Sequence, residues 1–374
     1  MKIIISGGGT GGHIYPAIAI ANALKQYDPT VNILFVGASG KMEMEKVPEA
    51  GYPIVGLGIR GFQRRQMLQN MTLPFRLAAS LWKARRVLKD FQPDLVVGTG
   101  GYASAPILYM AARQSIPTLI QEQNAAVGLT NRILANHVDI VCGAYASIEA
   151  YLPGTKIVLT GNPVREDLMH LSGKREEACA YFGLVPDKEC LLVLGGSLGA
   201  RTINESILQA IDPLLEAGLQ IIWATGRLYF EDIKAKLTQR QQNTVKIYSF
   251  IEAIDLAYAM ADIVVSRAGA LAVAELCVAQ KPVVFVPSPN VTANHQVQNV
   301  RPLVEKNAAL MVKDSEAMQN LAQEVMSLLR HKDRQNVLAK NIKHWAKPQA
   351  TAAVVKEIIR LVDPASARSV RNTQ

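Results

Sequence analysis

Three turns in this sequence place residue types at spacings that could do chemistry, and the first is Gly7-Gly8-Gly9-Thr10-Gly11-Gly12-His13. It is entered from the apolar run Ile3 to Ile5 and left into Ala17, Ile18, Ile20, Ala21 and Leu24 at helical spacing. A strand, a glycine turn and a helix start bring backbone N–H groups and the positive end of a helix dipole to one point, which suits a phosphate or an oxygen-rich group. Gly7, Gly9 and Gly12 satisfy G-x-G-x-x-G, but a dinucleotide site also needs an Asp or Glu for the ribose about 20 residues further on. The next strand ends in Val36-Gly37-Ala38-Ser39 with no acid at its tip, so the match is weak support for a dinucleotide. A tight turn alone is the plainer alternative, and it leaves the number of clustered glycines unexplained.

The second turn, Gly195-Gly196-Ser197-Leu198-Gly199-Ala200, again follows an apolar strand and precedes a helix. Two such turns in two similar halves imply a ligand held in a cleft between domains. The third, Ser266-Arg267-Ala268-Gly269-Ala270, opens a helix that carries Glu275. N–H groups at that helix start could hold a diphosphate while the Glu275 carboxylate accepts both ribose hydroxyls; the alternative is a solvated helix acid.

The elements that must position these turns alternate short Val- and Ile-rich runs with longer helical patterns, the signature of βαβ units feeding a parallel sheet. Strands are expected at Lys2 to Ser6, Val31 to Gly37, Leu95 to Gly98, Pro117 to Gln121 and Ile140 to Cys142. A second series runs through Cys190 to Leu194, Leu219 to Ala224, Thr244 to Tyr248, Ile263 to Ser266 and Val283 to Pro287. At 374 residues and 49% hydrophobic, the chain has the length and apolar content for two cores. The fold class expected is α/β, with two Rossmann-like, doubly wound parallel-sheet domains. Glycine and proline in Thr160-Gly161-Asn162-Pro163-Val164-Arg165 mark the boundary, giving domains at 1–163 and 164–340. Residues 341–362 end in an amphipathic helix expected to pack back on the first domain, and 363–374 read as a disordered tail.

Cys142, Cys179, Cys190 and Cys277 lack C-x-x-C spacing, which argues against zinc or a disulfide framework, and no Asp-x-Asp pair is present to clamp a divalent ion on a nucleotide. Neither a metal nor a cofactor is expected. The apolar start is far shorter than a signal core or a membrane span. A net charge of +9 favours an anionic partner. Between Arg60 and Lys89 eight basic residues are threaded with Phe75, Leu81, Trp82 and other apolar side chains, with Arg85 and Arg86 adjacent, and no acid among them. That pattern suits an interfacial segment on anionic lipid, with Phe75, Leu81, Trp82, Arg85 and Arg86 as the membrane-associating set. The alternatives are an ordinary core stripe with a solvated basic face, or nucleic acid; aromatics at 6% without a stacking series weigh against the last.

Taken with Gly100-Gly101-Tyr102-Ala103-Ser104, Gln121-Glu122-Gln123-Asn124 and Gly161-Asn162-Pro163-Val164-Arg165, the three turns give six motifs in order. From Lys2 to about Val362 the sequence resembles the MurG family. The resemblance implies a GT-B fold, two Rossmann domains about a cleft, with UDP-sugar bound mainly by the second. It implies a transfer of N-acetylglucosamine from UDP-N-acetylglucosamine to the muramyl hydroxyl of lipid I, giving lipid II for peptidoglycan, by an enzyme peripheral to the cytoplasmic face of the membrane. By position it assigns Arg165, Ser197, Ile251, Glu275 and Gln296 to the nucleotide, with Ala270 and Leu271 at the diphosphate, and Thr10, Gly11, Gly12, His13 and Asn124 to the sugar and reaction centre. Gly11, Gly12, Gly100, Gly101, Tyr102 and Ser104 would meet the acceptor. For an inverting transfer His13, at a helix start that disfavours an imidazolium, is a candidate base, and Glu122 is a second. Two departures from the family pattern are His295, where some relatives carry glutamine, and Gln280, where glycine commonly ends the helix; only the local cap should change there. The rival readings are a UDP-N-acetylglucosamine 2-epimerase of the same architecture, or a non-enzymatic nucleotide-sensing membrane adaptor.

Overall fold

The computed structural model describes residues 1–59, 73–196, 198–291 and 294–363. The chain forms two compact units: Met1–Val164 together with Gln349–Gln374, and Arg165–Pro348. The first carries a seven-stranded parallel sheet of β1 (Lys2–Gly7), β2 (Asn32–Ala38), β3 (Ile54–Leu57), β4 (Leu95–Gly100), β5 (Thr118–Glu122), β6 (Ile140–Gly143) and β7 (Ile157–Leu159), in the order β3-β2-β1-β4-β5-β6-β7. The second has β8 (Cys190–Leu194), β9 (Gln220–Ala224), β10 (Val245–Tyr248), β11 (Ile263–Ser266), β12 (Val283–Phe285) and β13 (Leu310–Met311), in the order β10-β9-β8-β11-β12-β13. In both sheets the chain moves outward one way from the first strand, then restarts on its other side. That reversal sits at β1/β4 and β8/β11, where a doubly wound sheet binds its ligand beyond the strand ends.

Parallel strands are covered on both faces, which is why they read as continuous Val and Ile runs. Side-chain alternation in β1 shows the consequence. Ile3 and Ile5 pack on the face covered by the helices Gly11–Tyr27 and Ala350–Val362, while Ile4 joins Ala84, Leu88 and Ile107 from the helices Leu73–Phe91 and Ser104–Arg113 on the other. β8 does the same in the second unit: Leu192 faces Val273 and Leu276, and Leu191 and Val193 face Ile203 and Leu321.

The ten strands expected from the sequence are present, and three more lie at sheet edges. β3, β7 and β13 are two to four residues long, and most of their side chains are half-exposed or exposed, so they lack the apolar contrast that marks a buried strand. The two crossings between units fall at Val164/Arg165 and Pro348/Gln349, so the helix Lys332–Lys343 belongs to the second unit and the return to the first begins at 349 rather than 341. Val354, Val355 and Ile358 then enter the first core. Residues 364–374 of the expected tail lie outside the described residues. Gln280 closes the helix Ala270–Ala279 in the left-handed conformation at φ 55°, the position a glycine would take without a side-chain clash.

Candidate functional site

In the first unit, β1 and β4 end side by side and their following turns touch. Gly101, at φ 80°, lies so close to Gly8 that a Cβ there would stand 2.3 Å from the Gly8 carbonyl oxygen. A Cβ on Gly100, at φ 105°, would stand 2.7 Å from His13 Nδ1. These glycines make room for the imidazole, the third residue of the helix Gly11–Tyr27. His13 Nδ1 lies 3.0 Å from the Thr99 carbonyl oxygen and 3.0 Å from Gln123 Oε1, and the Thr99 hydroxyl donates to the His13 carbonyl at 2.7 Å. Thr10 and Gly12 stand exposed at the helix start beside half-buried Gly11 and His13.

Two buried carboxylates brace this rim. Glu43 folds back from beyond β2 and is fully buried; its Oε2 accepts from the Gly9 N–H at 3.0 Å and its Oε1 from the Ala38 N–H at 2.9 Å. An acid therefore does occupy the region beyond the second strand, but it points into the glycine turn and fills the space beside Gly8. Glu122, 1% exposed, accepts from the Asn124 N–H and Nδ2 at 3.0 and 3.2 Å on Oε1, and from the Gly128 N–H and Asn131 Nδ2 at 3.1 and 2.8 Å on Oε2. Four protein donors engage its two oxygens and it is buried, so the expected second base is occupied as a brace in this structure. Glu122 instead anchors the loop that presents Asn124. Ser104 also needs correction: it is fully buried and its hydroxyl donates to the Gly101 carbonyl at 2.8 Å, so it holds the turn from behind and offers an acceptor nothing. Tyr102 is half-buried alongside.

In the second unit, Gly269 begins the helix Ala270–Ala279. Gln296 ties that start to a neighbouring loop: its Oε1 accepts from the Ser288 N–H at 2.7 Å and the Ala268 N–H at 3.2 Å. Arg267 is committed to the Val286 carbonyl and to Asp314. One turn on, Tyr258 donates its hydroxyl to Glu275 Oε2 at 3.3 Å. Burial pushes the Glu275 carboxyl above its ordinary value of 4.5, and the Arg165 guanidinium and the Tyr258 hydrogen bond pull it back. Burial likewise drives the Tyr258 phenol well up, so it remains a donor. Leu271 is half-buried and Ala270 buried at the helix start, while the Ile251 side chain is buried, leaving its backbone as the part that could meet a ligand. Ser197 lies outside the described residues; the flanking Gly199 packs on Gly226, where a Cβ would stand 2.3 Å from the Thr225 carbonyl oxygen.

Tyr258, Glu43 and Gln123 are the residues that sequence reasoning missed. Gln123 lay inside a quoted motif, and its signal was a polar residue directly after a buried strand. Among the described residues no group of histidines, cysteines and acids is arranged to hold a metal ion, and no helix is long and apolar enough to cross a membrane.

On the helix Leu73–Phe91, Ser80, Ala84 and Leu88 form the buried stripe, with Leu81 half-buried beside it. The opposite face carries Phe75, 79% exposed, and Trp82, 66% exposed, with Arg86, and exposed Arg85 flanks it. The part of the basic segment from Arg60 to Thr72 lies outside the described residues.

Comparison with known proteins matches residues 3–142 to the glycosyltransferase family 28 N-terminal domain and residues 190–354 to the family 28 C-terminal domain. A relative from Flavobacterium psychrophilum is 51% identical over 97% of this chain and 98% of its own length, and one from Parabacteroides distasonis is 49% identical at the same coverage. Both are named UDP-N-acetylglucosamine--N-acetylmuramyl-(pentapeptide) pyrophosphoryl-undecaprenol N-acetylglucosamine transferase. Among solved structures, MurG of Acinetobacter baumannii aligns at TM-score 0.76 with 28% identity, over 96% of this chain and 99% of that one. A UDP-GlcNAc 2-epimerase from Neisseria meningitidis, bound to UDP-GlcNAc, aligns at TM-score 0.67 over 96% of this chain and all of that one; at 17% identity it shares the fold alone.

The raised carboxyl of Glu275 has a consequence for stability. A folded-state value above the unfolded one means that the group favours folding most when protonated, and that this contribution is lost as pH rises through the folded value. At neutral pH the ionised carboxylate, half-buried and partly desolvated, therefore costs stability. Glu275→Gln should melt above the parent at neutral pH, and the two melting temperatures should converge as pH falls toward 4.5. Scanning calorimetry across that range checks this; a variant that melts lower at neutral pH would show the charge to be well compensated.

Proposed function

We infer that this chain, which belongs to glycosyltransferase family 28, transfers N-acetylglucosamine from UDP to lipid I, undecaprenyl-pyrophosphoryl-muramyl-pentapeptide, and so forms lipid II. The observation that carries this is the near-complete alignment, at about half identity, with relatives named for that transfer. The site chemistry agrees with it. In the transfer the muramyl 4-hydroxyl oxygen bonds to the anomeric carbon as the bond from that carbon to the β-phosphate oxygen breaks. UDP departs with the electron pair, and the anomeric centre inverts. The hydroxyl proton needs an acceptor, and His13 Nε2 is the lone pair opposite the Nδ1 that faces two oxygens.

The nucleotide is a load for the second unit. Glu275 would accept the ribose hydroxyls beside Arg165, and the Ile251 backbone would meet the uracil edge. The N–H groups at Ala270 and Leu271, with Gln296 fixing the turn before them and Ser197 in the other loop, would hold the diphosphate and stabilise it as it leaves. Thr10 and Asn124 face the sugar, and Gly11, Gly12, Gly100, Gly101 and Tyr102 the acceptor. Acceptor access is supported by the helix Leu73–Phe91: Phe75, Leu77 and Trp82 lie outside the core beside Arg85 and Arg86, a pairing that suits docking on anionic lipid at the cytoplasmic face.

Incubation with UDP-N-acetylglucosamine and a soluble lipid I analogue, with chelator present, should release UDP and form disaccharide in equal amounts. Release of UDP without disaccharide would defeat the assignment, and activity restored only by magnesium would defeat the metal-free leaving-group account. In the same assay His13→Ala should lower turnover by roughly 100-fold and leave UDP affinity intact. Glu275→Ala should instead weaken UDP binding by about 1 to 3 kcal/mol, read by calorimetry.

Lipid docking is separable from chemistry. Phe75→Ser with Trp82→Ser, or Arg85→Glu with Arg86→Glu, should reduce sedimentation with anionic vesicles and turnover on membrane-embedded acceptor, with the soluble analogue still used. Folded variants that sediment as the parent does would place the membrane face elsewhere.

A further inference from the structure

We propose that Gln123 is a positioning residue for His13, and that with the Thr99 carbonyl it holds the imidazole as the Nδ1–H tautomer with Nε2 as the basic nitrogen. This rests on the reading of His13 as the base, but the tautomer itself can be tested without it. Thr99 O is an acceptor in every protonation state, so a nitrogen 3.0 Å away must carry a hydrogen to bond it. Gln123 Oε1, also 3.0 Å from Nδ1, adds a second acceptor only if the amide is turned that way round. Its orientation is settled by the other end. Gln123 Nε2 points at three oxygens: the Thr99 carbonyl at 2.6 Å, the Gln121 carbonyl at 2.9 Å and Gln121 Oε1. Exchanging the amide oxygen and nitrogen would set an oxygen against all three, in a residue only 1% exposed, where unpaired lone pairs have no water to turn to.

The Gln121 side chain is fixed in turn. Its Nε2 donates to Asn162 Oδ1 at 3.1 Å, and Asn162 Nδ2 donates to the Gln123 carbonyl at 3.0 Å. Gln121, Gln123 and Asn162 are all buried, so the chain of bonds leaves little freedom for any member to flip. It runs from Asn162, just before the chain leaves the first unit, to the ring nitrogen of His13. The ring is also pinned from the side, because Gly100 and Gly101 allow the backbone to press against it. A neutral histidine that must accept a proton at one nitrogen works only when the other carries the hydrogen. Gln123 acts here without touching the reacting atoms.

The test is nitrogen NMR on protein labelled at histidine, with the His13 signals identified by their loss in His13→Gln. The parent should show a protonated, pyrrole-type Nδ1 and an unprotonated, pyridine-type Nε2 at neutral pH; a parent in the Nε2–H form overturns the proposal with no variant needed. In Gln123→Leu the His13 signals should move toward an average of the two tautomers or broaden, and kcat should fall about tenfold or more with the KM for UDP-N-acetylglucosamine within about twofold of the parent. An unchanged His13 spectrum in folded Gln123→Leu also overturns it. If the spectrum changes and kcat does not, Gln123 still positions His13 and the base assignment is what fails.

Discussion

Backbone pressed on backbone where β1 and β4 end is the constraint from which the rest of the first unit's site follows. Gly8 and Gly101 meet at a distance that no side chain tolerates, and this contact brings the Thr99 carbonyl, the His13 ring and the glycine turn into one patch. Polar groups so close together are costly unless each is paired. Every neighbour therefore has a defined duty: Thr99 binds His13 through both its hydroxyl and its carbonyl, Glu43 holds the Gly9 N–H, and Ser104 holds the Gly101 carbonyl.

Three acids, two buried and one half-buried, show how one residue type is put to different uses by the donors around it. Glu43 and Glu122 accept two and four hydrogen bonds from the protein itself, and they act as braces. Glu275 shares one oxygen with Tyr258, sits near Arg165, and keeps a raised carboxyl. A carboxylate that its own protein stabilises poorly has the most to gain from hydroxyl donors on a ligand. The second unit thus leaves Glu275 with the Tyr258 hydrogen bond where a ribose is proposed to sit, and the first unit braces Glu43 and Glu122 near the proposed base His13.

Much of this was legible in the sequence. Strands covered on both faces announce themselves as Val and Ile runs, and the glycine turns and the helix bearing Glu275 follow from strand ends; the edge strands β3, β7 and β13 carry no such contrast. Glu122 was visible as a notable acid, but a carboxylate at a strand tip looks the same whether its donors come from a ligand or from Gly128 and Asn131 six and nine residues on. Glu43 reads as a solvated residue in Lys41-Met42-Glu43-Met44-Glu45, because nothing local indicates that the chain folds it back under the turn. Tyr258, within an apolar helix, reads as core, which it is, and its hydroxyl partner comes from a helix 17 residues away. Long-range pairing is what a linear pattern fails to encode, and polar networks in buried sites consist of little else.

On the proposed function, the backbone contact at β1 and β4 governs catalysis in the first unit, and the second unit holds the nucleotide independently. Gly101→Ala addresses it directly, since the added methyl would collide with the Gly8 carbonyl and crowd the His13 ring. Calorimetric titration with UDP alongside turnover should show affinity equal to the parent's and turnover reduced by roughly 100-fold, the scale of losing a positioned general base. Turnover retained in the folded variant, or UDP affinity lost together with it, would contradict the account.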